Sequence, residues 1–200
     1  METDPKRVEL LAQEREDENW RFRSFLKGVD LGIEELDEIV HGHLEAVAEQ
    51  IDCRACGNCC RHVLPVLSPS EVTRLARGLG LTRDALVNRH LQPHREEGRL
   101  TFNARPCPLL TGTECSAYES RPDACRSFPH LHKPEFVFRL AGVVANCAIC
   151  PIVFNVYERL KAEHWNELED EWDDDSEWND NIEDKAPRRG APQGAPQRKA

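Results

Sequence analysis

The residues with the clearest chemical potential are four cysteines within eight positions, in the order Cys53-x-x-Cys56-x-x-Cys59-Cys60. Two residues between cysteines allow a tight turn to direct both sulfurs toward one ion, at zinc–thiolate bond lengths of about 2.3 Å. Gly57 can supply the positive φ that such a turn often needs. This spacing predicts a metal site.

The adjacent pair Cys59 and Cys60 complicates a single-ion interpretation. Neighbouring side chains tend to point apart, so both are not expected to join Cys53 and Cys56 on one mononuclear ion. Either Cys60 belongs to a second site, or the site is a cluster.

The remaining cysteines lie further along the chain in two groups: Cys107, Cys115 and Cys125, then Cys147 and Cys150. They are candidates for the second half of the same arrangement. The alternative is that they are small buried core residues, because free cysteine is among the most buried residue types.

Four motifs occur in order: Cys-x-x-Cys-Gly-x-Cys-Cys-Arg, Cys-Pro-Leu-Leu, Cys-x-x-Tyr-x-x-Arg-Pro-x-x-Cys-Arg and Ser-Phe-Pro. In this order they resemble the YkgJ-type cysteine-cluster family, a zinc- or iron-chelating domain, over about residues 50 to 152. The resemblance implies that the first seven cysteines match the family cysteines and that Cys147 or Cys150 matches a late one. All nine are therefore candidate metal ligands.

Other polar side chains beside the cysteines could adjust such a site. A guanidinium can offset the negative charge of thiolates and donate to sulfur, and three arginines are adjacent to cysteines or close to them: Arg61, Arg121 and Arg126. Histidine can replace a thiolate ligand, and the candidates are His62, His130 and His132. Tyr118 is expected to be a packed residue with a hydrogen bond.

Charge and composition limit the partners. The formal charge of −10 comes from residues 163–184, which hold twelve aspartate or glutamate residues and no lysine or arginine, so the rest is nearly neutral. Neither nucleic acid nor a membrane is therefore an expected partner. The charged N-terminal region lacks an apolar signal segment, which predicts a cytoplasmic protein. In that reducing compartment, clustered cysteines are more often metal ligands or redox groups than disulfides.

Hydrophobic periodicity predicts the elements that position the cysteines. Residues 1–27 are predicted to form one charged helix that frays at its start and docks through its end. Further helices are expected over residues 30–50, after the cap at Ser68, from Thr82 to His90, and over 147–161. Residues 99–103 and 136–140 are predicted to pair as short strands.

These elements predict an α+β, mainly α fold, with a metal-organised cysteine-cluster domain over residues 28–162. Residues 163–200 form an acidic segment with Trp165, Trp172 and Trp178, then a tail rich in Pro, Gly, Ala and Gln. The tail is predicted to be disordered, and the tryptophan segment is either solvated or a site for a protein partner.

Three functions agree with these observations. The first is an iron-sulfur protein in redox chemistry, since the Cys-x-x-Cys-x-x-Cys run resembles the start of ferredoxin ligation. The second is a zinc-stabilised protein-interaction module, and the third is metal sequestration or delivery. No phosphate-binding loop, nucleophile elbow or His-Glu-x-x-His pair is present in the sequence, and catalysis stays undecided.

Overall fold

Helices form most of the part of the chain that the computed structural model describes, residues 1–165. A few short strands accompany them, so the predicted α+β, mainly α class is confirmed. The predicted disordered tail and the acidic segment beyond Trp165 lie outside the described residues.

Ten helices and five strands make up residues 1–165. The helices are α1 (Pro5–Glu14), α2 (Glu16–Leu26), α3 (Ile33–Ala48), α4 (Cys53–Cys56), α5 (Cys59–His62), α6 (Pro69–Gly78), α7 (Arg83–His90), α8 (Asp123–Ser127), α9 (Leu140–Cys147) and α10 (Pro151–His164). The strands are β1 (Val66–Leu67), β2 (Leu91–Pro93), β3 (Leu100–Phe102), β4 (Leu110–Thr111) and β5 (Glu114–Cys115). Two 3-10 turns cover Tyr118–Ser120 and Phe136–Arg139.

The N-terminal region forms two helices, where one was predicted. Arg15 interrupts the helix and separates α1 from α2. Helix α1 is ordered rather than frayed, because Val8 is fully buried and Ala12 is nearly so. The Asn155 side chain on α10 accepts from the Glu2 backbone N–H at 2.9 Å and donates to the Glu2 carbonyl at 2.6 Å. The prediction of a frayed start was wrong because this segment packs against a helix distant in sequence.

Helices α1, α2, α3, α9 and α10 enclose the larger of two hydrophobic cores, called here the helical core. Phe22 packs edge-on against Tyr157 with ring centroids 5.2 Å apart. The Tyr157 hydroxyl donates to the Asn19 carbonyl at 3.0 Å, so its buried polar group is satisfied. The core face predicted for residues 30–50 is confirmed in α3, which buries Leu36, Val40 and Val47.

The predicted strand over residues 136–140 is wrong, because these residues form a 3-10 turn followed by the start of α9. Buried Asp37 on α3 accepts hydrogen bonds from the backbone N–H groups of Glu135, at 2.6 Å, and Phe136, at 2.8 Å. This carboxylate caps the start of the turn and satisfies donors that a strand would have paired.

A smaller core, called here the sheet core, lies under α6, α7 and a three-stranded antiparallel sheet in the order β1-β3-β2. The predicted strand at residues 99–103 is present as β3, but it pairs Thr101 with Val66 and Gln92. Both predicted helices are confirmed. α6 begins with a Ser68–Glu71 capping box, and Thr82 caps α7.

The helix predicted over residues 147–161 is two helices. α9 ends at Cys147, and α10 begins at Pro151 with Cys150 as its N-cap residue. Proline is favoured at this first helical position because it lacks the N–H that the helix leaves unpaired there. The two late cysteines therefore flank a turn. Among residues 1–165, none of the helices combines the length and hydrophobicity needed to cross a bilayer.

We predict that Asp37→Ala destabilises the fold by about 1–3 kcal/mol, because it leaves buried backbone donors of the 3-10 turn without an acceptor. The measurement is urea denaturation followed by circular dichroism. Glu38→Gln, at the exposed neighbouring position, is the control and should change stability little. Equal unfolding midpoints for the two variants would contradict this role of Asp37.

Candidate metal centre

Two short helices joined by a glycine carry the first four cysteines; residues 52–62 are called here the cysteine loop. Asp52 caps α4 by accepting from the Arg54 backbone N–H at 2.8 Å. Gly57 then takes a left-handed conformation with φ +59°, as the sequence led us to expect. α5 follows and places Cys59 and Cys60 in its first turn.

The cysteine loop lies directly against the backbone of the hairpin formed by β4 and β5. A Cβ atom at Gly57 would lie 2.7 Å from the Thr113 carbonyl oxygen, so only glycine fits without displacing the hairpin. The Arg61 side chain donates to the Gly112 carbonyl at 2.6 Å. This approach brings Cys115, on β5, toward the loop.

Two further hydrogen bonds connect the loop to distant cysteine segments. The Cys107 backbone N–H donates to the Cys60 carbonyl at 2.8 Å. The Asn58 side chain donates to the Ile149 carbonyl at 2.7 Å, beside Cys150. Segments about 50 and 90 positions away along the chain are thereby joined to the loop.

Helix α8, which carries Cys125, is held by α6. The Glu71 carboxylate accepts from the Asp123 backbone N–H at 2.9 Å, while also completing its own capping box with Ser68. Arg74 donates to the Asp123 carboxylate at 2.6 Å. These contacts fix the first turn of α8 on the sheet-core side.

A cavity of about 360 Å³ lies where these segments meet, and six of the nine predicted ligands line it: Cys53, Cys59, Cys60, Cys107, Cys115 and Cys125. Cys107 and Cys115 also pack on the sheet core. The cavity therefore lies beside the smaller core, with the cysteine loop forming one of its walls.

The other three predicted ligands lie away from the cavity surface. Cys147 is 1 % exposed inside the helical core, and Cys150 is at the edge of the same core with 7 % exposure. Cys56 is half-buried in α4. The structure thus brings eight cysteines around the cysteine loop and separates Cys147 as a core residue.

Arginines surround the thiols, as predicted, but they bind mainly backbone carbonyls. Arg121 lies 3.6 Å from the centre of the Tyr118 ring and donates to the Tyr118 carbonyl at 2.5 Å. Arg126 donates to the Arg121 carbonyl at 3.2 Å. Arg54, whose position in the sequence gave no signal of such a role, lies 4.5 Å from the centre of the same ring. Tyr118 is thus a packed residue in contact with two guanidinium groups.

Only one of the three candidate histidines lines the cavity, namely His130. Its Nδ1 lies 2.8 Å from the Ser127 hydroxyl, and burial lowers its pKa to about 4, so the ring is neutral near pH 7. His62 and His132 are exposed and do not line the cavity.

Burial keeps most of these thiols protonated in the absence of a metal. It raises the pKa of Cys107 to about 11, and that of Cys125 and of Cys150 to about 12. Cys53 is exposed as a residue, but its thiol is partly covered, and its pKa is raised as well. A bound cation would offset this burial cost, because metal ligation stabilises the thiolate form.

Cys60 differs from these thiols because its pKa is lowered. A hydrogen bond from the Cys59 thiol lowers the pKa of Cys60, with burial opposing and Arg61 assisting, while the pKa of Cys59 is raised. The two adjacent thiols therefore influence each other, although neighbouring side chains tend to point apart.

The donor set fits a soft or borderline metal, since thiolates select zinc, iron in iron-sulfur clusters, or monovalent copper. Within residues 1–165, however, no three cysteine, histidine or acidic side chains already stand in positions that would hold an ion. The thiols share a region and must turn toward common points to become ligands.

Two positioning residues had no clear sequence signal as parts of the site. Asn58 acts through the Ile149 carbonyl, far along the chain. Glu71 was recognised only as part of a helix cap, although it also holds α8. In both cases the positioning role depends on a hydrogen bond to a residue that is distant in the sequence and becomes a neighbour only in the folded chain.

The family comparison agrees with the geometry. Residues 52–151, half of the chain, match the model of the CxxCxxCC family, described as a "putative zinc- or iron-chelating domain". No curated protein and no solved structure matches the chain.

We predict that Gly57→Ala destabilises the protein more than Gly98→Ala, measured by thermal unfolding. Both glycines have positive φ, near +59° and +71°, so each alanine should cost about 1–2 kcal/mol of backbone strain. Only at Gly57 would the new Cβ also meet a backbone, because nothing lies within 4 Å of the position at Gly98. Equal losses would show that the contact with Thr113 contributes nothing.

We predict that Glu71→Gln reduces the loss of stability on acidification. Burial raises the pKa of Glu71, but the hydrogen bonds from Ser68 and Asp123 outweigh it and lower the pKa in the folded state. A depressed folded-state pKa stabilises the protein above the unfolded value of about 4.3, and this contribution is lost as pH falls through the folded value.

Wild type should therefore lose more unfolding free energy than Glu71→Gln between about pH 6 and about pH 3.5. Urea denaturation across this range measures the difference, with the exposed Glu97→Gln as control. Parallel pH profiles for wild type and Glu71→Gln would contradict the assignment.

Proposed function

This chain belongs to the CxxCxxCC family, and from that premise we propose that it binds zinc or iron through cysteine thiolates gathered around the cysteine loop. The observation that supports the proposal is that cysteines distant in the sequence come together in the fold. Cysteines from three separate segments, at residues 53–60, 107–115 and 125, line one cavity. Nothing in a purely structural hydrophobic core requires so many thiols on one cavity surface.

Cys150 is included among the proposed ligands, and Cys147 is not. Cys150 lies at the N-cap of α10, next to the Ile149 carbonyl that Asn58 holds. Cys147 lies inside the helical core beside the α10 helix, where an ion would displace apolar packing. The sequence left open which of the two late cysteines is a ligand, and these positions support Cys150.

Burial also gives the metal an energetic effect on folding. Several thiols whose pKa values are raised by burial share a small region, so metal binding replaces protons with an attractive charge. A metal bound by cysteines from distant segments would crosslink them, as structural metals do in small domains. We therefore propose that the metal at least stabilises the fold.

Metal delivery is a second candidate function, and one observation favours it. Cys53 is exposed, whereas the other cysteines are half-buried or buried. A ligand on a solvent-accessible residue is easier for a thiol from another molecule to replace than a buried one, and such replacement is the step that metal transfer needs. Iron-sulfur redox chemistry is an alternative use of the same thiols.

We predict that the chain, purified without oxygen and without a metal-affinity tag, retains zinc or iron. Elemental analysis and a visible spectrum identify the metal: a colourless zinc protein supports the structural or delivery function, and a brown protein with labile sulfide supports the iron-sulfur function. Removal by a strong chelator should lower the melting temperature.

Two substitutions make this test specific. Cys125→Ser should lower metal content, whereas Cys147→Ala, in the helical core, should leave metal content unchanged. A wild-type chain that holds neither metal, with a melting temperature insensitive to chelator, would contradict the proposed function.

A further inference from the structure

We propose that the cavity beside the cysteine loop also binds a small organic carboxylate with an apolar body, which Arg54 and Arg121 recognise. This ligand is additional to the metal of the proposed function. The cavity volume of about 360 Å³ lies within the range of roughly 300–1,000 Å³ that small-molecule sites have. Besides six cysteines, the cavity wall holds three arginines and a set of apolar side chains.

One part of the cavity wall is apolar and buried. Phe102, Leu109 and Ala117 line the cavity and belong to the sheet core, and each is at most 6 % exposed. Val63 and Phe128 extend this wall at half-buried positions. Covering an apolar ligand group with such a wall is favourable roughly in proportion to the area removed from water. This part of the cavity therefore fits an aryl or alkyl body.

Three guanidinium groups line the part of the cavity that is nearer to solvent. Arg54 and Arg126 are exposed residues, and Arg121 is half-buried. Within residues 1–165, none of the three forms an ion pair with a carboxylate. Of the acidic residues in that range, Glu114 alone lines the cavity, and it is exposed. The excess of positive side chains favours an anionic group at this end.

Tyr118 supports two of these guanidinium groups without occupying their hydrogen-bond donors. Their central carbons lie over its ring, 3.6 Å from the ring centre for Arg121 and 4.5 Å for Arg54. The attraction of a cation to an aromatic face uses none of the N–H groups. Arg121 donates to the Tyr118 carbonyl through Nη1 alone, and the Arg54 side chain donates to no group of the described chain. Both therefore retain donors for the paired hydrogen bonds that a carboxylate accepts from arginine.

The turn that carries Tyr118 is held in place by the rest of the fold. It packs so closely on α6 that a Cβ atom at Gly78 would lie 2.1 Å from the Ser120 hydroxyl oxygen. The Arg121 carbonyl accepts a hydrogen bond from Nε of Arg126 at 3.2 Å, so the Arg126 guanidinium helps to fix this segment. Groups that are already positioned lose less conformational entropy when a ligand binds. The structure thus favours Arg54 and Arg121 as the recognising groups and Arg126 as a support.

The test is isothermal titration calorimetry on the full-length chain, purified anaerobically with its native metal. Phenylbutyrate is the probe, because it joins a carboxylate to an aryl body. Phenylbutanol is its neutral counterpart, and inorganic phosphate is an anion without the body. Phenylbutyrate is expected to bind at least about tenfold more tightly than phenylbutanol, as a charged hydrogen bond would produce. Phosphate is expected to bind more weakly than phenylbutyrate.

Four variants locate the site. Arg54→Gln and Arg121→Gln should each weaken phenylbutyrate binding about tenfold and leave phenylbutanol binding unchanged. Arg77→Gln, at an exposed position of α6 outside the cavity wall, is the matched control and should keep wild-type affinity. Val63→Phe, which fills the apolar part, should weaken both probes. Circular dichroism checks folding, and the exposed position of Arg54 keeps the comparison available if Arg121→Gln does not fold.

Undetectable binding of phenylbutyrate, or equal affinities for phenylbutyrate and phenylbutanol, would overturn the inference, because arginines that only offset thiolate charge do not distinguish the two. Wild-type affinity in both arginine variants, with binding lost after chelation, would also overturn it by assigning the carboxylate to the metal.

Metal analysis of the same samples tests the proposed function separately. A wild-type chain that binds phenylbutyrate through Arg54 but holds neither zinc nor iron would contradict the proposed function alone. A chain that retains metal but does not discriminate between the probes would contradict this inference alone.

Discussion

The arrangement of the site depends on the contact between two backbones, at Gly57 and Thr113, where no side chain fits between them. At this contact the cysteine loop packs against the β4–β5 hairpin. The loop follows α3 of the helical core, and Cys115 of the hairpin packs on the sheet core. The hydrogen bond from Arg61 to Gly112 reinforces it. Every cysteine that lines the cavity is positioned relative to this junction, so the close approach and the positive φ of Gly57 constrain the whole site.

Placing thiols at such a junction has an electrostatic consequence. Burial favours the neutral thiol, and neighbouring thiolates repel one another. Both effects raise the pKa values of the thiols, so without a metal most of them stay protonated. The adjacent pair departs from this rule, because Cys59 stabilises the ionised form of Cys60 by donating to it. The region therefore contains one thiol with a lowered pKa beside others whose pKa burial raises.

Local signals in the sequence predicted the elements that local physics determines. The capping box at Ser68 and Glu71, the cap at Thr82 and the apolar spacing in α3 each act within a few residues, and each is present. The failures have long-range causes. The 3-10 turn at Phe136–Arg139 is capped by Asp37, about 100 positions earlier, which accepts the backbone N–H groups of Glu135 and Phe136. The N-terminal segment is ordered through Asn155, which no periodicity near residue 2 could reveal.

The same distinction applies to the site. Spacing identified the cysteines but could not group them, because the grouping depends on contacts such as that between Asn58 and Ile149, 91 positions apart. Cys147 and Cys150 are three residues apart and chemically identical in the sequence. Their difference arises from the turn before Pro151, which leaves Cys147 inside the helical core and places Cys150 at its edge, toward the cysteine loop.

The two cores differ in how much a metal can contribute to them. Of the largest fully buried side chains, Tyr157, Phe22 and Phe136 lie in the helical core, whereas the sheet core has Phe102 with a few leucines. Apolar burial stabilises the fold roughly in proportion to the area removed from water, so the sheet core has less stabilisation of its own. Its segments carry Cys107, Cys115 and, through the contact of Glu71 with α8, Cys125. Metal ligation would thus act most on the part of the fold that apolar packing stabilises least.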